Sequence, residues 1–361
     1  MGSLAETGAV GKAGCVDLSL SDAQARRIRL RSHLLQDSGL APADVVRRAV
    51  ALQGQDLPAV LRAIAVRSRP GTTVQDVRDA FDRGELVRSW PMRGTLFATT
   101  PEHLAALRHF TAERTRSMAA RRRMELGLDE AVLSRSRGIL REALRRQPMR
   151  RAEVMELWSG AGVETADGRG YHLLMHLAVE GLVHWGRFAP AGTEQLLTLT
   201  EDGDTDDGDL AAVVRGFVLA RGPVTEADLA WWTKLPKTAV RRAAAGIGDL
   251  AEVQVQGRPA WLIGEVPDPE PAGVALVPGF DEWILGYADR SLVAGPAVRR
   301  ALVPGNNGVF RPAILVDGVV VGTWRLPRSK GVVEPVVDLV EQVPADTHRA
   351  IENAVAAWPH G

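Results

Sequence analysis

Apolar residues recur at helical spacing through most of the first 250 residues, and this spacing predicts a mostly helical body. The first helices are predicted at 18–37, with Ser21 as N-cap, and at 41–52, 58–68 and 73–83. Two strands follow at 86–90 and 95–99, with a turn over Pro91–Gly94 between them. Helices followed by a hairpin are the plan of a winged helix, and the pattern predicts one here.

The same plan occurs twice more along the chain. Helices predicted at 101–119 and 129–146 lead to a second unit, with helices at 147–158 and 170–182 and strands at 183–188 and 195–200. A third unit has helices at 209–221, 226–233 and 236–246 and a hairpin of strands 251–255 and 259–263. The three units share this plan without a visible repeat in sequence.

From residue 273 onward, short apolar strands replace the helices. Strands are predicted at 274–277, 311–316, 319–324 and 332–339, followed by a closing helix at 345–358. The dipeptide Asp317-Gly318 between two apolar runs is the strongest short-range hairpin signal in the chain. This part of the sequence predicts a small β-rich, barrel-like domain.

These patterns predict an α+β fold with consecutive regions. They are a disordered lead-in at 1–17, a first winged helix with basic connecting helices at 18–146, a second at 147–200, an acidic loop with a third at 201–264, and the C-terminal β-rich domain at 273–361. A chain of 361 residues can bury several cores, which agrees with this division.

Composition narrows the class of protein. Hydrophobic residues make up 45% of the chain and charged residues 24%, which is typical of a soluble globular protein. The single Cys15 excludes an internal disulfide framework and any cysteine-based zinc site, and it favours a reducing cytoplasm. No apolar run reaches the roughly 20 residues that a membrane span requires, so no membrane partner is expected.

Positive charge is concentrated in one helical segment, although the formal net charge of the chain is zero. Residues 108–151 contain thirteen arginines and five acidic residues. Solvated helix faces can explain any one of these arginines, whereas a surplus of this size favours a surface that faces phosphates. Arg121, Arg122 and Arg123 are therefore candidate DNA-binding residues.

Several catalytic and metal-binding templates fail. His172 and His176 are four apart on a predicted helix but lack the glutamate of a zinc-protease motif, which favours a packing role. The loop at 202–213 begins like a calcium-binding loop but has neither its glycine nor its final glutamate. No phosphate-binding Gly-Lys-Ser/Thr loop, Rossmann fingerprint or Gly-x-Ser-x-Gly elbow occurs. With only four lysines the chain gives little support for Schiff-base chemistry, and we expect no metal and no cofactor.

The run Gln53-Gly54-Gln55 is predicted to lie on a short corner between two helices. Gly54 breaks the preceding apolar run, and Pro58 suits the first turn of the next helix. Two glutamines on such a corner can present their amides to a cleft. Glutamine is also common at helix ends, where it is only solvated, so the spacing alone does not decide.

Four segments give the chain a resemblance to a known family. In order, they are LQGQD (52–56), SWPMRGTLFATT (89–100), PGFDEWILGYADRS (278–291) and FRPAILVDGVVVGTWR (310–325). Together they resemble the AlkZ-like winged-helix DNA glycosylases, which unhook azinomycin-type crosslinks. The resemblance implies three tandem winged helices arranged as a C-shaped, mostly helical body, with a C-terminal β domain. It also implies that Gln53 and Gln55 are the catalytic pair.

The sequence departs from the pattern of this family at two positions. Gly54 stands where an alanine or a larger apolar residue is common, which leads us to expect a more flexible corner. Phe97 stands where the family often has histidine, which argues against a polar role at that position.

A glutamine pair restricts the chemistry that is possible. Glutamine does not titrate near neutral pH, so it is not a strong general acid or base, but its amide oxygen can hold a water and stabilise an oxocarbenium-like sugar. This suits a purine alkylated at N7, which is already cationic and leaves without protonation. Full base flipping, which a bulky base resists, is not required. We therefore expect a monofunctional glycosylase that acts on N7-alkylated purines in double-stranded DNA, in general repair or in self-resistance.

Two other functions stay open at this point. A non-catalytic winged-helix regulator needs no polar pair at Gln53 and Gln55 and is expected to dimerise on a palindromic site, whereas a glycosylase is expected to be a monomer. A protein–protein scaffold would leave the arginine surplus unexplained.

Other side chains are candidates for contacts with DNA. Arg93 and Thr95, at the turn of the first hairpin, can contact a phosphate or only stabilise the turn. Three residues of the Pro304–Arg311 loop can read a DNA groove, although a plain turn is favoured there; they are Asn306, Asn307 and Arg311. The turn at Asp317-Gly318 is an alternative groove probe.

One charged cluster is expected to have a structural role. Asp281, Asp289 and Arg290 flank the aromatic residues Trp283 and Tyr287. We expect a local salt bridge that packs on a core.

Overall fold

The computed structural model describes residues 18–36, 38–200, 208–264, 270–325 and 335–359. The helices are α1 (Asp22–Ser32), α2 (Pro42–Ala49), α3 (Leu57–Ala65), α4 (Val74–Asp82), α5 (Pro101–Met118), α6 (Ala120–Glu125), α7 (Glu130–Arg146), α8 (Arg151–Gly160), α9 (Arg169–Glu180), α10 (Leu210–Arg221), α11 (Glu226–Thr233), α12 (Lys237–Ala244), α13 (Glu282–Leu285), α14 (Pro296–Leu302) and α15 (Ala345–Ala356), with a 3-10 turn at Pro304–Asn306. The strands are β1 (Ser19–Leu20), β2 (Ala51–Gln53), β3 (Val87–Met92), β4 (Thr95–Thr99), β5 (Val183–Phe188), β6 (Gln195–Leu199), β7 (Leu250–Val255), β8 (Arg258–Ile263), β9 (Val274–Val277), β10 (Ala313–Val316), β11 (Val319–Arg325) and β12 (Val336–Leu339). The predicted lead-in and residues 201–207 of the acidic loop lie outside the described residues. The α+β class expected from the sequence is confirmed.

The helix predicted at 18–37 is shorter in the structure, where α1 covers Asp22–Ser32 and begins directly after the predicted N-cap. Ser21 caps α1 by accepting from the Gln24 N–H, and the Gln24 side chain accepts from the Ser21 N–H in return. Thr73 and Asp76 form the same reciprocal box at the start of α4. These local bonds satisfy backbone donors that a helix leaves unpaired.

The predicted helix at 41–52 is wrong at its C-terminal end. The helix stops at Ala49, Val50 has a positive φ of 65°, and the next three residues form β2. β2 pairs antiparallel with β4, with Gln53 opposite Phe97. The partner strand decides this conformation, because it supplies hydrogen bonds that the short run could not find alone. Gln53 therefore ends a buried strand instead of lying on a corner between two helices.

The first two predicted hairpins belong to one sheet. Its order is β2-β4-β3-β5-β6, and the hairpins meet where Arg88 of β3 pairs with Trp185 of β5. β3 continues through Pro91 and Met92, so the turn consists of Arg93 and Gly94, both with positive φ.

The third hairpin, β7–β8, gains a strand that the sequence did not predict. β1 pairs parallel with β7, and α1 packs behind it into one core with the C-terminal region. Leu20, Ile28, Val253, Trp283 and Val320 are buried members of this core. The N-terminal helix therefore supports the β-rich part of the chain, although the two are far apart in sequence.

The C-terminal strands form an open antiparallel sheet in the described residues, with the order β12-β11-β10-β9. The expected barrel-like closure is not seen there, because β9 and β12 do not pair. α15 covers one face, where the rings of Trp324 and Trp358 meet at 4.7 Å. No helix of the described residues is long and apolar enough to span a bilayer.

The hairpin predicted at Asp317-Gly318 is confirmed, with φ values of 45° and 77°. Its turn packs on α1: Asp317 accepts from Arg27 Nε at 2.9 Å, and a Cβ at Gly318 would lie 3.0 Å from Arg26 Cβ. This turn is occupied by intramolecular contacts, which argues against its use as a groove probe.

Candidate active site

The backbone of Gln53 is held by a buried carboxylate. Gln53 is 7% exposed, and its backbone N–H donates to Glu282 Oε1 at 3.2 Å. Glu282 Oε2 accepts from Arg221 Nε at 3.1 Å, from Arg221 Nη2 at 3.0 Å and from Trp232 Nε1 at 3.0 Å. Charge-assisted bonds in such a buried setting are strong, so this network fixes the end of β2.

Arg221 extends the network to the residues before Gln53. Its Nη1 donates to the Ala49 carbonyl at 2.9 Å and its Nη2 to the Ala51 carbonyl at 2.7 Å. Sequence analysis missed both Arg221 and Glu282. The available signal was a charged residue beside each of two apolar runs, Phe217–Ala220 and Trp283–Leu285, since buried charges must be paired.

Arg93 covers the side chain of Gln53. Its Nη2 donates to Gln53 Oε1 at 3.3 Å, and its Cζ lies 5.1 Å from the centroid of the Phe97 ring. Phe97 is fully buried and meets Trp232 edge to face at 6.0 Å. The pKa of Arg93 is lowered by burial first; the charge of Glu282 opposes this shift, and nearby arginines add to it. The Arg93 guanidinium thus lies over the Phe97 ring and orients the side-chain amide of Gln53.

Gln55 is exposed at the edge of the same site. Its Oε1 accepts from the Leu96 N–H at 3.3 Å, and its Nε2 donates to no group in the described residues. Thr95, next to Leu96, has a buried hydroxyl that finds no hydrogen-bond partner within the described ranges. One glutamine is therefore buried and clamped, while the other can reach a ligand.

Gly54, between the two glutamines, is tightly held, contrary to the expected flexible corner. Its N–H donates to the Leu96 carbonyl at 2.7 Å, and its carbonyl accepts from Arg88 Nη1 at 3.0 Å. A Cβ at Gly54 would lie 2.9 Å from the backbone nitrogen of Ala98 and 3.0 Å from the carbonyl carbon of Phe97. β4 passes so close that only glycine fits this backbone.

We expect Gly54→Ala to lower the free energy of unfolding by about 1–3 kcal/mol, because the new methyl group must push β4 away. Base release should fall with it, since β4 also carries Phe97 and pairs with Gln53. Gly138→Ala is the matched control: this exposed position in α7 has no atom within 4 Å of an added Cβ, so the change should stabilise the helix slightly. Urea unfolding of both variants tests this, and equal stability of the two would contradict it.

The local salt bridge expected around Trp283 and Tyr287 is wrong. Asp281 pairs with the distant Arg67, with Nη2 to Oδ1 at 2.7 Å, and both side chains are about fully buried. Asp289 pairs with Arg258 at the surface. The aromatic core itself is confirmed, since both rings are fully buried.

Of the other predicted contact residues, the α6 arginines lie on an exposed helix. Arg121 and Arg122 both bond to Glu125, at 2.9 and 3.2 Å, and Arg123 donates to the Arg116 carbonyl at 2.8 Å. The Arg121 side chain is 90% exposed. These cations are available at the surface, and their contact with DNA stays a prediction.

The three candidate residues of the Pro304–Arg311 loop, Asn306, Asn307 and Arg311, are also exposed. Asn307 Oδ1 accepts from the Val309 N–H at 3.0 Å, while Asn306 has a positive φ of 51°. Phe310 anchors the loop on Phe280, with ring centroids 6.3 Å apart. Since Phe280 precedes Asp281 and Glu282, this anchor connects the loop to the segment beneath Gln53.

His176 on α9 is buried and paired, in agreement with the packing role that the sequence favours, whereas His172 is half-buried. His176 Nε2 lies 3.0 Å from Glu180 Oε1, and Glu180 is also bonded to Arg137. The pKa of Glu180 is lowered to about 2 by the bonds to these two residues, which outweigh its burial. Within the described ranges, no group of three or more His, Cys, Asp or Glu side chains can hold a metal ion.

Comparison with known proteins agrees with the motifs and the fold. The family model for DNA glycosylase AlkZ-like proteins matches residues 46–359. An "Interstrand DNA cross-link repair glycosylase" of Streptomyces sahachiroi is 27% identical over 346 residues, covering 87% of this chain and 88% of the relative. The solved structure of S. sahachiroi DNA glycosylase AlkZ has the same fold, with a TM-score of 0.78 at 22% identity over 95% of this chain and 97% of that one. The chain therefore belongs to the AlkZ-like family of DNA glycosylases.

Proposed function

We propose that this protein is a monofunctional DNA glycosylase that hydrolyses the N-glycosidic bond of N7-alkylated purines, with Gln53 and Gln55 as the catalytic residues. The observation that carries this proposal is the buried Gln53 residue, whose side-chain Oε1 accepts from Arg93 while its backbone N–H donates to Glu282. An amide fixed in this way can hold a water, or a developing oxocarbenium ion, without reorganising during the reaction. Gln55, exposed beside it, supplies the second polar group.

The electrostatics of the site favour a substrate that needs no proton transfer. The carboxylate that contacts Gln53 is Glu282, and its oxygens already accept from Gln53, Arg221 and Trp232. A carboxylate so occupied and buried is a poor general base. A purine with an alkyl group at N7 is already cationic and leaves as a neutral base, so the site needs only to position water and stabilise the sugar.

The units of helices and hairpins support duplex DNA as the partner. We propose that they are three winged helices in a C-shaped arrangement, that the protein acts as a monomer in the cytoplasm, and that exposed cations hold the backbone. Arg121, Arg122 and Arg123 would supply part of this contact, since phosphate contacts position a protein without reading sequence. Asn306, Asn307 and Arg311 would approach the groove from their exposed loop.

The relative from S. sahachiroi suggests the wider role, because its name describes repair of interstrand crosslinks. A crosslink between two N7 positions contains two cationic purines, so hydrolysis at one glycosidic bond would release one strand. The proposed site lies at the end of β2, and one of its two glutamines, Gln55, is exposed. Such a site also suits a bulky base that cannot enter a closed pocket. We extend the proposal to such crosslinks and to bulky N7 adducts.

The test measures the base released from duplex DNA that contains a single N7-methylguanine and from the same duplex without the lesion. We expect release from the first duplex alone, and release of one strand from a duplex with an N7–N7 crosslink. Binding without release from either lesion would contradict the proposal and favour a DNA-binding regulator instead.

A further inference from the structure

Lys234 has a backbone conformation that glycine usually adopts. It caps the C-terminus of α11 with φ 61° and ψ 16°, in the left-handed region. A side chain in this region is disfavoured, and helix ends of this kind commonly carry glycine. A lysine in such a position suggests that its side chain provides an interaction that glycine cannot.

The Lys234 side chain leads toward the Gln53 site through one indole. Its Nζ lies 3.7 Å from the ring centroid of Trp231, and the Cζ of Arg93 lies 5.7 Å from the same centroid. Arg93 in turn donates to Gln53 Oε1. The indole, partly buried, therefore holds two cations side by side, one at the catalytic amide and one nearer the surface.

The two cations lack an acidic partner in ion-pair range. In the part of the chain that the structure describes, the contacts of Lys234 and Arg93 are to aromatic rings and to Gln53, and none of them is to a carboxylate. The pKa of Lys234 is lowered by partial burial and then by the charges of Arg93 and Arg114. The charge of Glu282 acts on Arg93 but is already paired with Arg221. The three cations therefore repel one another without a carboxylate between them, and a bound anion would relieve this repulsion.

We propose that Lys234 and Arg93 together bind one phosphate of the DNA strand next to the damaged nucleotide, with Trp231 as the rigid platform between them. Lysine acts as a point charge toward phosphate, and arginine adds directional donors. The adjacency to the damaged nucleotide rests on the proposed function, because it takes Gln53 as the marker of that nucleotide. The phosphate contact itself does not depend on catalysis.

The first test measures affinity for an undamaged duplex as a function of salt. Lys234→Gly should weaken binding about threefold to tenfold and reduce the slope of log affinity against log salt by about one, as expected for one lost phosphate contact. Its melting temperature should be unchanged or higher, because glycine suits the left-handed backbone. Lys234→Arg should retain the slope.

Ala191→Gly is the matched control for the backbone. Ala191 also has a positive φ, 54°, in an exposed and uncharged turn position, so the change relieves the same strain without removing a charge. Its DNA affinity and salt slope should equal those of the wild type. An unchanged slope in Lys234→Gly would overturn the proposal, as would the same loss in Ala191→Gly.

A second test locates the phosphate. Phosphates beside an N7-methylguanine are replaced one at a time by neutral methylphosphonates, and binding is measured for wild type and Lys234→Gly. At one flanking position the replacement should weaken the wild type clearly more than the variant, which keeps only Arg93 at that phosphate. Additive losses at every flanking position would overturn the proposal. If the wild type released no base but the salt slope still fell, the proposed function would fail and the phosphate contact would stand.

Discussion

Gln53→Ala is expected to slow base release from N7-methylguanine DNA by about 100-fold or more. Removal of one preorganised polar group at a reacting centre typically costs this much. The reason here is that the Gln53 amide is buried, bonded by Arg93 and backed by Glu282, so a water that moved into the gap would lack its fixed orientation. Gln55→Ala should also slow release, with a smaller loss, because that side chain is exposed and, among the described residues, is bonded through its oxygen alone.

The measurement is single-turnover release at saturating enzyme, so that weaker binding does not enter the rate. Gln75→Ala is the matched control, since Gln75 is an exposed glutamine on α4 whose Nε2 donates to Asp79 one turn away. Its rate should equal that of the wild type. A Gln53→Ala protein that binds DNA, melts normally and still releases base at the wild-type rate would remove Gln53 from the mechanism.

Glu282→Ala is expected to destabilise the protein by about 3–5 kcal/mol, because it leaves the Arg221 guanidinium buried without its carboxylate. Both side chains of this pair are 1% exposed. The loss is a large fraction of the 5–15 kcal/mol by which domains are typically stable. It should appear in urea unfolding, and the surviving folded protein should release base slowly because the backbone of Gln53 loses its acceptor.

Glu142→Ala is the control for the loss of a glutamate ion pair as such. Its partner Arg146 is one turn away on α7, and the two side chains are 59% and 74% exposed, so the change should cost less than about 1 kcal/mol. Glu282→Gln keeps the shape of the side chain and should fall between the two. Equal unfolding midpoints for Glu282→Ala and Glu142→Ala would show that the buried network does not support the fold.

The sequence by itself determined most helices and the three hairpins that follow helices, and it singled out the glutamine pair as a candidate site. Ser21 and Thr73 define helix starts within a few residues, and Asp317-Gly318 defines a two-residue turn, because these signals act through bonds between near neighbours. The four family segments could also be read directly. Each of these features depends on interactions that a short window of sequence contains.

Only the tertiary structure decided how the glutamine pair is held. Gln53 ends a strand because β4 lies beside it, and Gly54 is required because the backbone of Ala98 passes at 2.9 Å from where a Cβ would be. The carboxylate beneath Gln53 comes from Glu282, 229 residues further along the chain. Such contacts have no periodicity or spacing in sequence, since chain folding brings their partners together and burial then makes their pairing obligatory.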